Sequence, residues 1–265
     1  MKHRTFTELL SVSAASLRAA AALALLALTA LPVLANDRFR SPCDLTLQPP
    51  AVAPIPTSPI ADFERRLTEI DAKAASITDV RATFGQIKRS ALLVEPLVSK
   101  GEVLSKGAVT LWLTTEPDET KVRVDATSMR VYYVKSAVVE EYPLERALAS
   151  ITASPLPRLR TLRELFSIVP DTGDPLVPVE SARNQLAAKL VPQSSDLQRH
   201  IASVRVLLDA DRGTVMVFEI TDPDGERTTI RFSVVRIGEG VRDDQLELHA
   251  GDARVVRPFD AKSPR

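Results

Sequence analysis

Hydrophobic positions change period along this chain. Ile60, Phe63, Leu67, Ile70, Ala74 and Ile77 recur at steps of three and four, one apolar stripe on an otherwise polar segment. Ser58-Pro59 before them pairs a capping serine with a first-turn proline, so the spacing predicts a helix from there to about Ile77. The period then falls to two. Val80-Arg81-Ala82-Thr83-Phe84 alternates inward and outward positions, as a half-buried strand does. Further strands are expected at Val109 to Leu113 and Lys121 to Asp125, with Gly101, Gly107 and Pro117-Asp118 as punctuation. Met129 to Lys135 and Val138 to Tyr142 are expected to pair across Ser136-Ala137.

The meander is interrupted in the middle. Leu144, Leu148 and Ile151 fit a short helix after Pro143. Leu159, Leu162, Leu165, Phe166 and Val169 fit a second, ended by Pro170, with Ser154-Pro155-Leu156-Pro157 between the two. Residues 170–180 read as a proline-rich loop with a short edge strand. Strands resume at Ala187 to Val191, Ile201 to Asp209, Thr214 to Ile220 and Arg227 to Ile237; Leu246-Glu247-Leu248 and Val255-Val256 close the series. No strand–helix–strand alternation suggests a parallel sheet. One α+β domain is expected: a helix, antiparallel strands, two inserted helices, and more strands. A long amphipathic helix and small helices laid against a curved sheet leave one large apolar concavity.

Composition divides the chain before the domain begins. Lys2, Arg4 and Arg18 precede an Ala/Leu-rich run from Ala19 to Leu34, and Val33-Leu34-Ala35 offers small residues ahead of Asn36. Residues 1–35 are expected to be a secretory signal peptide; the uncharged run is shorter than the roughly 20 residues a spanning helix needs. Residues 36–58 carry Pro42, Pro49, Pro50, Pro54 and Pro56 and read as a semi-rigid tether. That places the domain at 59–258 and a tail at 259–265. Removing 1–35, with its three basic residues and one acidic, changes the 34 and 34 charges to 31 basic and 33 acidic. This balance does not favour nucleic acid, and no basic patch is interleaved with aromatics. Cys43 is the one cysteine, so no internal disulfide is expected, and it reads as a free tail thiol.

Chemistry is sparse. Beyond residue 35 only His200 and His249 remain, neither spaced with another ligand for a metal, and both read as surface or strand-end residues. There is no nucleophile elbow and no phosphate-cradling glycine loop. Glu140-Glu141, Asp243-Asp244 and Asp222-Pro223-Asp224-Gly225-Glu226 are the candidate carboxylate pairs for hydrolysis, without the exposed aromatics that sugar sites carry. The last string is better read as a hairpin turn, since period-two runs flank it and Asp224-Gly225 suits a positive φ. No enzyme, metal or cofactor is expected.

Several strings, taken in order, resemble the LolA-like periplasmic carriers of outer-membrane lipoproteins. Val80-x-Ala82-x-Phe84-x-Gln86 resembles their first-strand signature. Gly107 with Leu111-Trp112-Leu113 and Pro117 is similar to their Gly…Leu-Trp-Val…Pro segment. Tyr132-Tyr133 through Tyr142-Pro143-Leu144, then Leu190-Val191-Pro192, and finally Ile220-x-Asp222-x-x-Gly225-x-x-Thr228-x-Ile230-x-Phe232 resemble the later segments. The resemblance spans about residues 60 to 258. It implies an incomplete, unclosed antiparallel β-barrel with helices plugging its concave face. It further implies lipoprotein acyl chains or another lipid as cargo, an inner-membrane releasing complex and an outer-membrane acceptor as partners, and a periplasmic location. A monomer is expected. An envelope sensor or interaction protein on the same fold is the alternative.

The residues expected to line the cavity are Val80, Ala82 and Phe84, with Val122, Val124, Leu162, Leu165, Phe166, Val217 and Phe232. On the tryptophan strand the lining is either Leu111 and Leu113 or Trp112; strand parity alone leaves this open. Phe63, Leu67 and Ile70 read as core. The carriers hold their lid helices with an arginine before the conserved proline. Here Thr115-Glu116 precede Pro117, and Arg123 is the expected substitute latch.

Overall fold

The computed structural model describes residues 58–144, 155–156, 159–176 and 184–258. The expected signal peptide, most of the tether with Cys43, the helix through Leu148 and Ile151, and the tail at 259–265 lie outside the described residues.

Helix α1 (Pro59–Ala75) forms where the three-four spacing places it and buries Phe63, Leu67, Ile70 and Ala74. Twelve strands then make one sheet: β1 (Asp79–Arg89), β2 (Leu97–Lys106), β3 (Val109–Glu116), β4 (Thr120–Val124), β5 (Ser128–Tyr133), β6 (Val138–Pro143), β7 (Phe166–Pro170), β8 (Gln185–Pro192), β9 (Ser203–Asp209), β10 (Thr214–Thr221), β11 (Arg227–Ile237) and β12 (Arg254–Val256). Helix α2 (Leu159–Leu165) precedes β7, and the single turn α3 (Ser195–Gln198) precedes β9.

The order across the sheet is β12-β6-β5-β4-β3-β2-β1-β11-β10-β9-β8-β7. Two meanders, β1 to β6 and β7 to β11, are thus joined side by side through β1 and β11. Outer strands β12 and β7 do not pair with each other, so the curved sheet stays open. This is the architecture that the resemblance to the LolA-like carriers implies. Every pairing is antiparallel except β12 on β6. Bulges in β1–β11, β2–β3 and β9–β10 bend the strands locally. At the β2 bulge a Cβ on Gly101 would lie 1.9 Å from the Leu113 carbonyl oxygen, so only glycine lets the strands approach this closely.

Four expectations change. Strand β2 is formed where Gly101 reads as punctuation. Phe166 and Val169 leave the helix: α2 stops at Leu165, and the next five residues are the edge strand β7. Leu246-Glu247-Leu248 is not a strand; Asp243–Leu246 is a 3-10 turn within a strap that lies on the sheet. Val255-Val256 does form a strand, but a parallel one.

Both faces of the sheet are covered in part. On one, here the helix face, α1, α2 and α3 pack over β7 to β10 through Phe63, Leu67, Ile70, Leu162 and Leu197, which meet Leu186, Leu190, Val204, Val206 and Leu208. Arg163 of α2 reaches Glu64 of α1 at 2.5 Å, and Lys73 donates to the Ala210 carbonyl at 2.6 Å. On the opposite face the strap from Gly240 to Ala253 lays Val241, Leu246 and Leu248 on Leu104, Leu111 and Val139. Asp79 fixes the start of the strap by accepting from the Gly240 and Val241 amides at 3.1 and 3.2 Å. Further along that face, Arg205 pairs with Asp171 at 2.8 Å and with Glu219 at 3.4 Å, and Thr229 donates to Glu219 at 3.0 Å. Each buried charge there has a partner, as burial demands.

Candidate apolar binding face

Register settles which side chains share a face. Ala82 sits opposite Val103, Val103 opposite Trp112, Trp112 opposite Val122, Val122 opposite Val131, and Val131 opposite Glu140. This is one row on the helix face, running across six strands, about 24 Å at the usual strand spacing. A second row runs through Phe84 and Phe232. The rings meet between the rows: Phe84 and Trp112 are 4.9 Å apart edge-on, and Trp112 and Phe232 are 5.8 Å apart.

Trp112 is therefore on the helix face. Leu111 and Leu113 lie on the opposite face, against Val241, Leu246 and Leu248 of the strap. Val217 is also on the opposite face, in register with Arg231 and one residue out of phase with Phe218. Val80, Ala82, Phe84, Val122, Val124 and Phe232 are on the helix face with Trp112. Leu162, Leu165 and Phe166 belong to that face too, but in the packed cluster under α1. Arg123 is on the opposite face. Its guanidinium donates to the Leu246 carbonyl at 3.1 Å and to Asp125 at 2.5 Å, so it ties the strap to β4.

Burial along the face is uneven. Ala82, Val103 and Val131 are buried, whereas Trp112, Val122, Tyr133, Ile230 and Phe232 are half-buried. Among the described residues, the clusters around Trp112 and around Val131 contain no helix side chain. An apolar surface of this kind, half open and rimmed by rings, can take an alkyl chain by contact and exclusion of water alone.

The row ends at a polar group. Glu140 accepts from the Tyr142 hydroxyl at 2.6 Å and from the Tyr133 hydroxyl at 3.2 Å. Burial, then the neighbouring Glu140 carboxylate, pushes the Tyr133 phenol well above its ordinary value. Glu141 points the other way, to Arg257 at 2.8 Å. The two adjacent carboxylates stand on opposite faces and cannot act on one substrate atom. Asp243 and Asp244 are likewise engaged separately, with Lys106 and Arg242.

Asp222 to Glu226 forms the expected hairpin. The Asp222 carboxylate accepts from the amides of Asp224 and Glu226 at 3.0 and 2.8 Å, and Gly225 has φ +82°. Asp222 is spent on the turn, and Glu226 pairs with Lys88 at 2.9 Å. No cluster of three potential metal ligands occurs among the described residues. Strand β2, missed in the sequence, contributes Val103. The signal that could have found it is the pair Val103-Leu104, which covers both faces at once.

No family model and no curated protein matches the sequence. Solved structures do show likeness. A conserved protein from Thermus thermophilus is 13% identical, with 74% of this chain and 99% of that one covered, at a TM-score of 0.47. A LolA superfamily protein from Nitrosomonas europaea is 9% identical over 70% of this chain and 97% of that one, at 0.37. The MucA/MucB complex of Pseudomonas aeruginosa gives 15% identity over 72% of this chain and 62% of that one, at 0.40. The architecture itself rests on the strand order and register described above.

Proposed function

We propose that this protein is a non-enzymatic carrier that shelters the acyl chains of a lipoprotein, or of another lipid, on the helix face of the open sheet. The observation that carries this reading is the ring group of buried Phe84 with half-buried Trp112 and Phe232, where Trp112 stands in line with Val103, Val122 and Val131. Each methylene taken out of water is worth about 0.8 kcal/mol, so a 16-carbon chain needs roughly 12 kcal/mol of apolar contact to remain in solution. The row, about 24 Å across six strands, is long enough to run beside such a chain. The Ala/Leu-rich start of the chain supports a location outside the cytoplasm, in the periplasm, where lipid cargo needs such shelter. Its partners would be an inner-membrane complex that releases the cargo and an outer-membrane acceptor.

Native mass spectrometry of protein taken from the cell envelope tests this. Expected is bound lipid or acylated protein in the natural chain and its loss in Trp112→Ala. Depletion of the protein should leave lipoproteins on the inner membrane. If lipid is bound but lipoprotein sorting is unchanged, a lipid-detecting envelope sensor replaces the carrier. If no lipid is bound, both fail.

A further inference from the structure

The β1–β2 hairpin ends in Ser90-Ala91-Leu92-Leu93-Val94-Glu95-Pro96. Turns ordinarily hold Gly, Asn, Asp or Ser at their corners. Here the corner residues are apolar, and they point into solvent: Leu92 is 91% exposed and Val94 103%. The turn beneath them is a closed one. The Leu93 amide donates to the Ser90 carbonyl at 3.1 Å and the Leu92 amide to the Ser90 hydroxyl at 3.2 Å. Behind the tip, Ile87 and Val98 face each other across the two strands, with Val98 half exposed.

Charge surrounds the base of the tip. Arg89 stands directly opposite Arg227 of β11, and both are exposed. Like charges in register oppose one another unless an anion lies between them. Arg227 comes within 3.9 Å of Glu219; no ion pair is recorded for Arg89 among the described residues. Lys100 pairs with Glu116, and buried Lys88 with Glu226. Glu95 is the one acid within the tip itself.

We infer that this tip is a membrane-docking element: Leu92 and Val94 enter the headgroup layer of an anionic phospholipid bilayer while Arg89 and Arg227 bind lipid phosphates. Arg89 closes β1 and Leu92 lies in the turn just beyond it, so the charge stands at the base of the apolar tip. A protein partner would need about 800 Å² of fitted surface, more than a narrow protruding turn offers. A bilayer closes around a convex tip without a matching hollow. Glu95 limits the depth, so contact is shallow and reversible, as suits a protein that must leave the surface again.

Vesicle flotation tests the inference independently of any cargo. The purified natural protein should float with vesicles of phosphatidylethanolamine and phosphatidylglycerol, and at least tenfold less with vesicles of phosphatidylcholine alone. Leu92→Ser/Val94→Ser should weaken binding at least tenfold, and Arg89→Gln/Arg227→Gln should abolish the preference for phosphatidylglycerol. Ile60→Ser, an exposed apolar change on α1, should leave binding unchanged. A Leu92→Trp variant should shift its emission to the blue only when vesicles are added. Failure of the natural protein to float, or equal flotation of the tip variants and Ile60→Ser, overturns the assignment. Because the tip lies in a solvent-exposed turn, these changes leave the fold intact, and an unchanged unfolding midpoint verifies it.

Discussion

On strands β7 to β9 the helix face is finished. Phe166, Ile201, Leu190 and Leu208 are almost wholly buried beneath α1, α2 and α3. On the β1–β6 meander the same face, with the same alternation, ends in half-buried Trp112 and Val122. One set of side chains packs against its own chain; the other is incompletely covered by the described residues. An apolar periodicity therefore specifies which face turns inward and leaves open what completes it.

That contrast can be broken most sharply in the sealed half. Phe166→Ala should cost about 3–5 kcal/mol, seen as a lower midpoint in urea with unchanged slope. Trp112→Ala should cost clearly less in the lipid-free protein, under about 2 kcal/mol, while reducing acyl-ligand retention at least tenfold. Equal stability losses at the two positions would show that both halves are ordinary core. Phe84 is a poor probe of the difference, because at 5% exposure its replacement by a charged residue would unfold the site it reports on. Within the open half lies the β2 bulge, where Gly101→Ala should destabilise by about 1–3 kcal/mol through the forced parting of β2 from β3.

The open half should also be the more acid-sensitive. Burial raises the Asp125 carboxyl, but the Thr127 and Ser128 amides, the Thr127 hydroxyl and Arg123 outweigh it and hold the group at about 2. A depressed carboxylate contributes stability above its unfolded value, and loses it as pH falls through its folded value. The window is therefore from about pH 4 down to about pH 2. After allowance for solvent screening the loss is about 1–2 kcal/mol, and Asp125→Asn should flatten that part of the pH–stability curve. The smallest effect is expected at the acidic hairpin: Asp222→Ala should cost about 1 kcal/mol, Asp224→Ala almost nothing, and added calcium should not move the unfolding midpoint of either.

Local rules are readable in the sequence and non-local ones are not. The α1 stripe and the first half of β11 follow from spacing alone, whereas the β11 alternation breaks at Val234-Val235, where the strand bulges against β1. Phe166 continues a helical spacing from Leu159 and so reads as helix; only its pairing with Pro192 shows it to be a strand residue. Leu246 and Leu248 alternate as a strand would, but both rest on the sheet from a strap. Trp112 cannot be assigned a face from its own strand because parity needs register, and register is fixed by partners far along the chain. The same holds for Arg123, whose partner at Leu246 lies more than a hundred residues away.

The splice between β1 and β11 has a kinetic consequence. Within each meander, neighbouring strands are consecutive in sequence, whereas Phe84 and Phe232 are separated by nearly the whole domain. Each meander can assemble from short loops, but their seam must wait for the largest loop closure in the chain. Until then β1 and β11 are both raw edges carrying unpaired amides and carbonyls. The interval before the seam closes is when this protein is most exposed to aggregation, and Trp112, whose contact with Phe232 spans the seam, is placed to report that closure by its fluorescence.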